Sequence, residues 1–252
     1  MNEISIKAEP IFTIGSFAVT NTLLTTWVVI ALLIILGLLI SHSVKKSAGK
    51  VPGKLQNASE AALDTFLNFM TTVAGSREKA VRFLPIVGTI FFFILAANWA
   101  GIIPGVGSIG FYHLVSGKEV FVPYFRSANS DLNTTLALAL IVVTLSQIVG
   151  FAVIGTKEHI SKYICLTSPI DFFVGILEIL GEFTRIISFS FRLFGNVFAG
   201  EVLLTIITFL VPYILPVPFL GLELFVGIIQ ALIFATLAMM FLSTATEAHE
   251  QH

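Results

Sequence analysis

The last third of the chain carries ionisable residues inside long apolar stretches, where charge is costly. Arg185 and Arg192 lie within the apolar run 169–211. The acidic residues of the two final runs are Asp171, Glu178, Glu182, Glu201 and Glu223. An arginine at the middle of a membrane helix costs about 3 kcal/mol on insertion scales, and ionisable groups at that depth mark ion pathways. The earlier apolar runs carry almost no charge, so we place the working part here.

Several of these residues share one face of a helix. Seen down the axis at 100° per residue, four polar side chains lie within about 80° of Arg192. They are Glu178, Glu182, Arg185 and Asn196. A polar stripe of this kind does not face lipid, so we predict that it faces another protein surface or water.

Arg192 has no acidic residue within one helical turn. Its neighbours four positions before and after are Ser188 and Asn196. We therefore predict that its partner lies on another chain. Arg185 differs, because Glu182 stands three positions before it and Glu178 seven. For these three residues, a structural ion pair and a functional role are equally good interpretations.

A second polar site is predicted near the bend between the two final runs. Glu201 lies nine residues after Arg192, about 180° around an ideal helix and roughly 13 Å along it, so a direct pair is not expected. Glu223 and Gln230 share a face of the returning arm. Glu201 and Glu223 are predicted to line one chamber that opens outside. Taken alone, Gln230 and Asn196 are more typical of hydrogen bonds between helices.

The elements that carry these residues are predicted to be membrane helices. The chain is 56% hydrophobic and 12% charged, with a mean hydropathy of +0.96, whereas soluble proteins are about a quarter charged. We predict an all-α integral membrane protein, a single domain over 1–252, with about five membrane helices and one amphipathic interfacial helix. The ranges are 17–40, 83–103 and 132–155 for spanning helices, 56–82 for the interfacial helix, and 169–211 and 219–245 for a tilted ion-channel hairpin.

The first arm of that hairpin is too long for a perpendicular crossing. A continuous helix over 169–211 would be about 65 Å long, twice the thickness of a membrane. We expect it to be strongly tilted, or broken near Gly195 or Gly200. Pro212, Pro216 and Pro218 are predicted to form the bend.

Other motifs exclude several classes of protein. Gly105, Gly107 and Gly110 spell G-x-G-x-x-G, but no strand of a soluble fold precedes them, so we interpret 105–131 as a flexible loop and not as a dinucleotide site. The single Cys165 excludes a multi-cysteine metal site. The five histidines fall outside the apolar runs and are predicted to be solvated. We predict no cofactor, no metal, no ATP site and no nucleic-acid partner.

Basic residues in the loops predict the orientation, because they are retained in the cytoplasm. An N-terminus outside and a C-terminus in the cytoplasm put nine loop cations inside and three outside. The inner ones are Lys45, Lys46, Lys50, Lys54, Arg77, Lys79, Arg82, Lys157 and Lys162, and the outer ones are Lys7, Lys118 and Arg126.

Three segments resemble a known family. Residues 190–201, SFRLFGNVFAGE, resemble the signature of subunit a of the F-type ATP synthase, and 127–136, SANSDLNTTL, and 230–234, QALIF, are similar to further segments of it. The resemblance implies a stator with two offset half-channels that load and unload carboxylates of a c-subunit ring, so that ion flow drives rotation and ATP synthesis. It also implies b-type peripheral stalk subunits, the rest of the complex and a bacterial inner membrane as surroundings, and a non-catalytic role for this chain.

The resemblance also implies roles for residues. Arg192 would face the c ring, and Glu178 would belong to the inner path, where we add Asp171. The positions that line the outer half-channel would be Asn196, Glu201, Glu223 and Gln230. The secondary candidates on the same helix are Arg185, Glu182 and Ser188.

One position departs from the family pattern. Many members carry a histidine at one of the positions that match Glu201 and Glu223, whereas both are carboxylates here. Two nearby carboxylates would titrate as a coupled pair, with one of them held protonated. A self-contained secondary transporter is the alternative, although such proteins usually show two related halves.

Overall fold

The computed structural model describes residues 8–46, 53–103, 105–115, 118–161, 163 and 169–246. Cys165 and the predicted loop cations Lys7, Lys50 and Lys162 lie outside these ranges. The helices are α1 (Asn21–Lys46), α2 (Lys54–Ala74), α3 (Arg77–Ile102), α4 (Leu132–Ile154), α5 (Thr156–Ser161), α6 (Pro169–Leu210) and α7 (Pro216–Thr244). The strands are β1 (Pro10–Ile14), β2 (Phe17–Thr20), β3 (Gly110–Val115) and β4 (Lys118–Pro123).

Five helices are long and apolar enough to cross a membrane, namely α1, α3, α4, α6 and α7. Many of their large apolar side chains, such as Leu38 and Phe209, are exposed. In a membrane protein such side chains face lipid, whose tails are as apolar as leucine. The predicted all-α membrane protein with five membrane helices is thus confirmed.

The bounds of the first helices differ from the predicted ranges. Phe17–Thr20 pairs with β1 as an antiparallel strand, so α1 begins only at Asn21. The range 56–82 is divided at Gly75, whose left-handed φ of 69° ends α2. Residues 77–82 then form the first turns of α3. A uniform amphipathic pattern cannot reveal such a division, because it depends on one backbone conformation that glycine adopts easily.

The long arm of the hairpin is a single helix. α6 has 42 residues and continues through Gly195 and Gly200 without a break, which corresponds to about 63 Å. α7 begins with Pro216 in its first turn, where the missing N–H costs nothing. Of the two expectations for this arm, breakage is therefore wrong, and strong tilt stays a prediction.

The segment 105–131, which we predicted to be a flexible loop, is partly ordered. β3 and β4 form an antiparallel hairpin in which Gly110 pairs with Pro123. A Cβ at Gly110 would overlap the carbonyl oxygen of Val122. Packing against β4 therefore explains one glycine of the G-x-G-x-x-G motif.

The helices pack around a core that α3 and α7 share. α3 packs most extensively against α7, and α4 against α6. Small residues such as Ala80, Ala231 and Ala235 are fully buried in this core. Small side chains let membrane helices approach closely. The Asn98 carboxamide donates to the carbonyl oxygen of Gly227 (3.2 Å), which fixes α3 to α7 beside the polar residues of the hairpin.

The segment before α4 joins three helices. Asp131 caps α4 by accepting from the N–H of Asn133 (2.9 Å), and it also accepts from the hydroxyl of Thr22 in α1 (3.1 Å). Thr135 exchanges a hydrogen bond with Ser190 of α6 (3.1 Å). These contacts give SANSDLNTTL a structural role.

Candidate ion-transport site

A cavity of about 430 Å³ lies where α3, α6 and α7 meet the segments before α1 and α4. Its charged lining residues are Glu9, Arg126, Glu201 and Glu223. We call it the outer chamber. The structure thus brings Glu201 and Glu223 to one cavity, as the hairpin geometry predicted. Glu9 and Arg126 were not among the predicted site residues.

Glu201 forms an ion pair with Arg126. The Nε of Arg126 lies 2.8 Å from Oε1 and 3.1 Å from Oε2 of Glu201. The Arg126 side chain is only 7% exposed, and that of Glu201 is 34% exposed. The sequence placed Arg126 among the loop cations of the outer side, and that placement stays a prediction. Its burial was not predicted, and it arises because the chain before α4 folds inward against α1, α3 and α6.

Glu223 reaches the chamber by packing against the other arm of the hairpin. A Cβ at Gly200 would overlap the Glu223 carboxylate, so the carboxylate occupies the space that the absent side chain leaves beside α6. Glu223 is half-buried. Within the part of the chain that the structure describes, no cation forms an ion pair with it.

Glu9 enters the chamber from the segment before α1. The Asn21 side chain donates to Oε2 of Glu9 (3.4 Å) and accepts from the Glu9 N–H (3.3 Å). Burial raises the pKa of the Glu9 carboxyl; Arg126 opposes this and Glu201 adds to it. Three carboxylates and one guanidinium therefore share the chamber.

A small crevice continues the chamber towards the stripe on α6. It is lined by Glu223, Gln230 and Asn196, together with Asn98, and its volume of about 10 Å³ is close to what one water needs. Asn98 and Glu223 line both spaces. The structure thus brings four predicted outer residues to two adjoining spaces. It adds Asn98, whose Oδ1 accepts from Asn129 (2.7 Å).

Arg192 lies on the exposed face of α6, one turn before Asn196. Its Nη2 donates to the hydroxyl of Ser188 at 3.4 Å, a long hydrogen bond. Among residues 8–46, 53–103, 105–115, 118–161, 163 and 169–246, no carboxylate forms an ion pair with it. A partner on another chain stays a prediction.

Arg185 and Glu182 pair with each other near the other end of α6. The Nη1 of Arg185 lies 2.7 Å from Oε1 of Glu182, and the guanidinium carbon lies 4.7 Å from the ring centroid of Phe241 in α7. These contacts favour the structural interpretation of the pair. Of the predicted inner residues, Glu178 is half-buried and Asp171 is exposed on the first turn.

A polar cluster that the sequence did not indicate lies between α4 and α5, near this end of α6. Nε2 of His159 lies 2.7 Å from Oε1 of Gln147, which also accepts from the Tyr163 hydroxyl (2.9 Å). His159 is 5% exposed, so its predicted solvation is wrong. Gly150 leaves the space that the imidazole fills. Burial raises the pKa of the Tyr163 hydroxyl. The hydrogen bond to Gln147 lowers this pKa, and the negative charges of Glu182 and Glu178 raise it further.

Known proteins are similar to this chain over most of its length. A family model described as ATP synthase A chain matches residues 23–243. The ATP synthase subunit a of Gloeobacter violaceus is 37% identical over 235 residues, which cover 92% of this chain and 86% of that protein. The matched span contains every predicted site residue, whereas Glu9 precedes the family match.

Proposed function

Because the chain belongs to the ATP synthase A chain family, we propose that it is the stator that carries protons to and from a rotating c-subunit ring. It is a multi-pass integral membrane subunit of the ATP synthase complex. Within that complex, we propose the c ring and b-type stalk subunits as direct neighbours. The self-contained secondary transporter is not favoured by this family membership.

The exposed position of Arg192 carries the proposal. A guanidinium remains charged in proteins, and inside a membrane it requires an anion or water. Among the described residues, Arg192 makes only one long hydrogen bond, which its guanidinium donates to the hydroxyl of Ser188. A carboxylate on the c ring would complete the pair as it passes.

Arg192 would separate two proton paths. Its positive charge favours the ionised form of an approaching carboxyl, so the c subunit releases its proton before it passes. The arginine cannot relay protons itself, which prevents a direct leak between the paths. Each charge that crosses a potential of 100 mV supplies about 2.3 kcal/mol for rotation.

The outer path would run through the chamber and the crevice. Glu201 and Glu223 admit protons from outside, and Asn196 and Gln230 conduct them towards the c ring. The crevice is wide enough for a single water, which suits transfer of protons along hydrogen bonds.

The inner path would begin at Glu178 and end at Asp171. Both residues lie between Arg192 and the start of α6, on the side away from the outer chamber. We propose that Arg185 and Glu182 hold α6 against α7 near this path through the contact with Phe241.

Replacement of Arg192 tests the proposal. In vesicles that hold the whole complex, Arg192→Ala is expected to abolish proton-driven ATP synthesis, because no fixed cation then forces the c carboxyl to ionise. Arg192→Lys is expected to lose coupling too, since a buried ammonium is more readily neutralised. Arg77→Ala, which removes an exposed arginine paired loosely with Asp64 (3.9 Å), is the control. Unchanged synthesis in Arg192→Ala would refute the proposal.

A further inference from the structure

We propose that Arg126 is a positioning residue that holds Glu201 as a fixed anion, so that Glu223 is the carboxyl that exchanges protons in the outer path. The inference rests on the proposed function and assigns different roles to the two carboxylates. The sequence predicted a coupled pair of carboxylates, and the inference states which member of the pair stays charged and which exchanges protons.

The geometry of the ion pair supports the fixed charge on Glu201. One N–H of Arg126 is directed at both carboxylate oxygens, at 2.8 and 3.1 Å. The guanidinium is almost fully buried, and it cannot become neutral by losing a proton. A buried charge without its partner is strongly unfavourable. Protonation of Glu201 would therefore remove an anion that pairs with this buried cation, which opposes a relay role for Glu201.

The backbone of Arg126 is anchored on two helices, which makes its position rigid. Its N–H donates to the hydroxyl of Thr25 (3.2 Å), and that hydroxyl donates to the carbonyl oxygen of Asn21 (3.0 Å). The next residue, Ser127, donates to the carbonyl oxygen of Ala97 in α3 (3.2 Å). A residue held in this way can define where the Glu201 carboxylate points.

Glu223 has the surroundings that an exchanging carboxyl needs. It lines both the chamber and the crevice, and among the described residues it is the one acid that borders the chamber on one side and Asn196 and Gln230 on the other. The other charged groups that face Glu201 and Glu223 are Arg126, from the segment before α4, and Glu9, from the segment before α1.

A double-mutant cycle tests the division of roles. ATP-driven proton pumping would be measured across a pH series in vesicles that carry the complex with Glu201→Gln, Arg126→Ala, both changes, or Glu223→Gln. Each single change is expected to lower pumping by at least about tenfold, the factor that corresponds to one pKa unit. Glu201→Gln does so because it removes the anion that pairs with the buried Arg126 cation. The double variant, with neither charge, is expected to recover most of this loss.

The relay alternative gives the opposite result. If Glu201 itself carries protons, the double variant is as inactive as Glu201→Gln, and that outcome overturns the inference. The amount of chain in the membrane is measured for every variant. If the double variant does not accumulate in the membrane, the pH dependence of pumping by the two Arg126 variants distinguishes the alternatives. Arg126→Ala is then expected to shift the pumping optimum by about one unit relative to Arg126→Lys, and equal optima would overturn the inference.

Two further variants separate this inference from the proposed function. Arg77→Ala removes an exposed arginine from a pair outside the chamber and is expected to leave pumping and its pH profile unchanged. Arg192→Ala reports on the proposed function alone. Loss of synthesis in Arg192→Ala without recovery in the double variant would refute only the role of Arg126.

Discussion

Four charged side chains from four distant parts of the chain meet at the outer chamber. Glu201 and Arg126 neutralise each other across 75 positions of sequence. Glu223 and Glu9 share the remaining space and have no such ion pair among the described residues. At the scale of residues, the chamber therefore combines one ion pair, Arg126–Glu201, with two further carboxyl groups, those of Glu9 and Glu223.

The titration of Glu9 predicts how the segment before α1 responds to pH. Burial raises its pKa above the ordinary 4.5, so the folded chain favours the neutral form. The stability that neutral Glu9 gives to the packing of this segment against the chamber is fully present below pH 4.5. It is lost as the pH rises through the raised pKa of Glu9. Glu9→Gln is therefore expected to slow hydrogen exchange in β1 and β2 at pH 8, but not near pH 4.

An exposed carboxylate serves as the control for that experiment. Asp64→Asn, on α2, is expected to leave exchange in β1 and β2 unchanged at both pH values, because Asp64 is 65% exposed. Equal exchange in Glu9→Gln and the unsubstituted chain at pH 8 would show that the charge on Glu9 does not oppose docking.

The residues of the site divide by how local their contacts are. The stripe around Arg192 could be predicted because its members are close in sequence and helical period places them on one face. Arg126, Glu9 and Asn98 could not, since their partners lie on other elements. Arg126 also looked like an ordinary loop cation.

At the scale of elements, the close approach of α6 and α7 shapes the path. The Glu223 carboxylate lies against Gly200, in space that a larger side chain would fill. Asn98 of α3 donates a hydrogen bond to the Gly227 carbonyl oxygen of α7. The five apolar helices could be predicted from their length and composition. The two hairpins could not, because β1, β2, β3 and β4 are short and pair through backbone hydrogen bonds within loops.

Gly200→Ala tests whether this approach matters. The added methyl group would displace the Glu223 carboxylate, so ATP-driven proton pumping is expected to fall about tenfold, or by roughly 1.4 kcal/mol in barrier height. Gly221→Ala is the matched control, because a Cβ at Gly221 meets no atom within 4 Å. Equal pumping by the two variants, at equal amounts in the membrane, would show that the contact does not limit proton entry.

At the scale of the whole molecule, the predicted orientation connects the chamber with one side of the membrane. Positive loops predict an N-terminus outside, which places the bend between α6 and α7 outside too. In a chain with Cys165→Ser, Tyr213→Cys in the bend, where Tyr213 is 87% exposed, is expected to react with an impermeant thiol reagent from outside. Asp64→Cys is expected to react only from the cytoplasm. The reverse pattern would place the chamber on the other side.

The partner of Arg192 is the central claim, and a photo-crosslinker in place of Ser188 measures it most directly. Ser188 is exposed and contacts Arg192, so the probe would report what faces the guanidinium in the intact complex. The same probe in place of Leu38, an exposed apolar residue of α1, is the control. We predict that irradiation links position 188, but not 38, to a c subunit near its membrane carboxyl. Crosslinks from position 188 to lipid alone, in a complex that retains its c ring, would contradict the account.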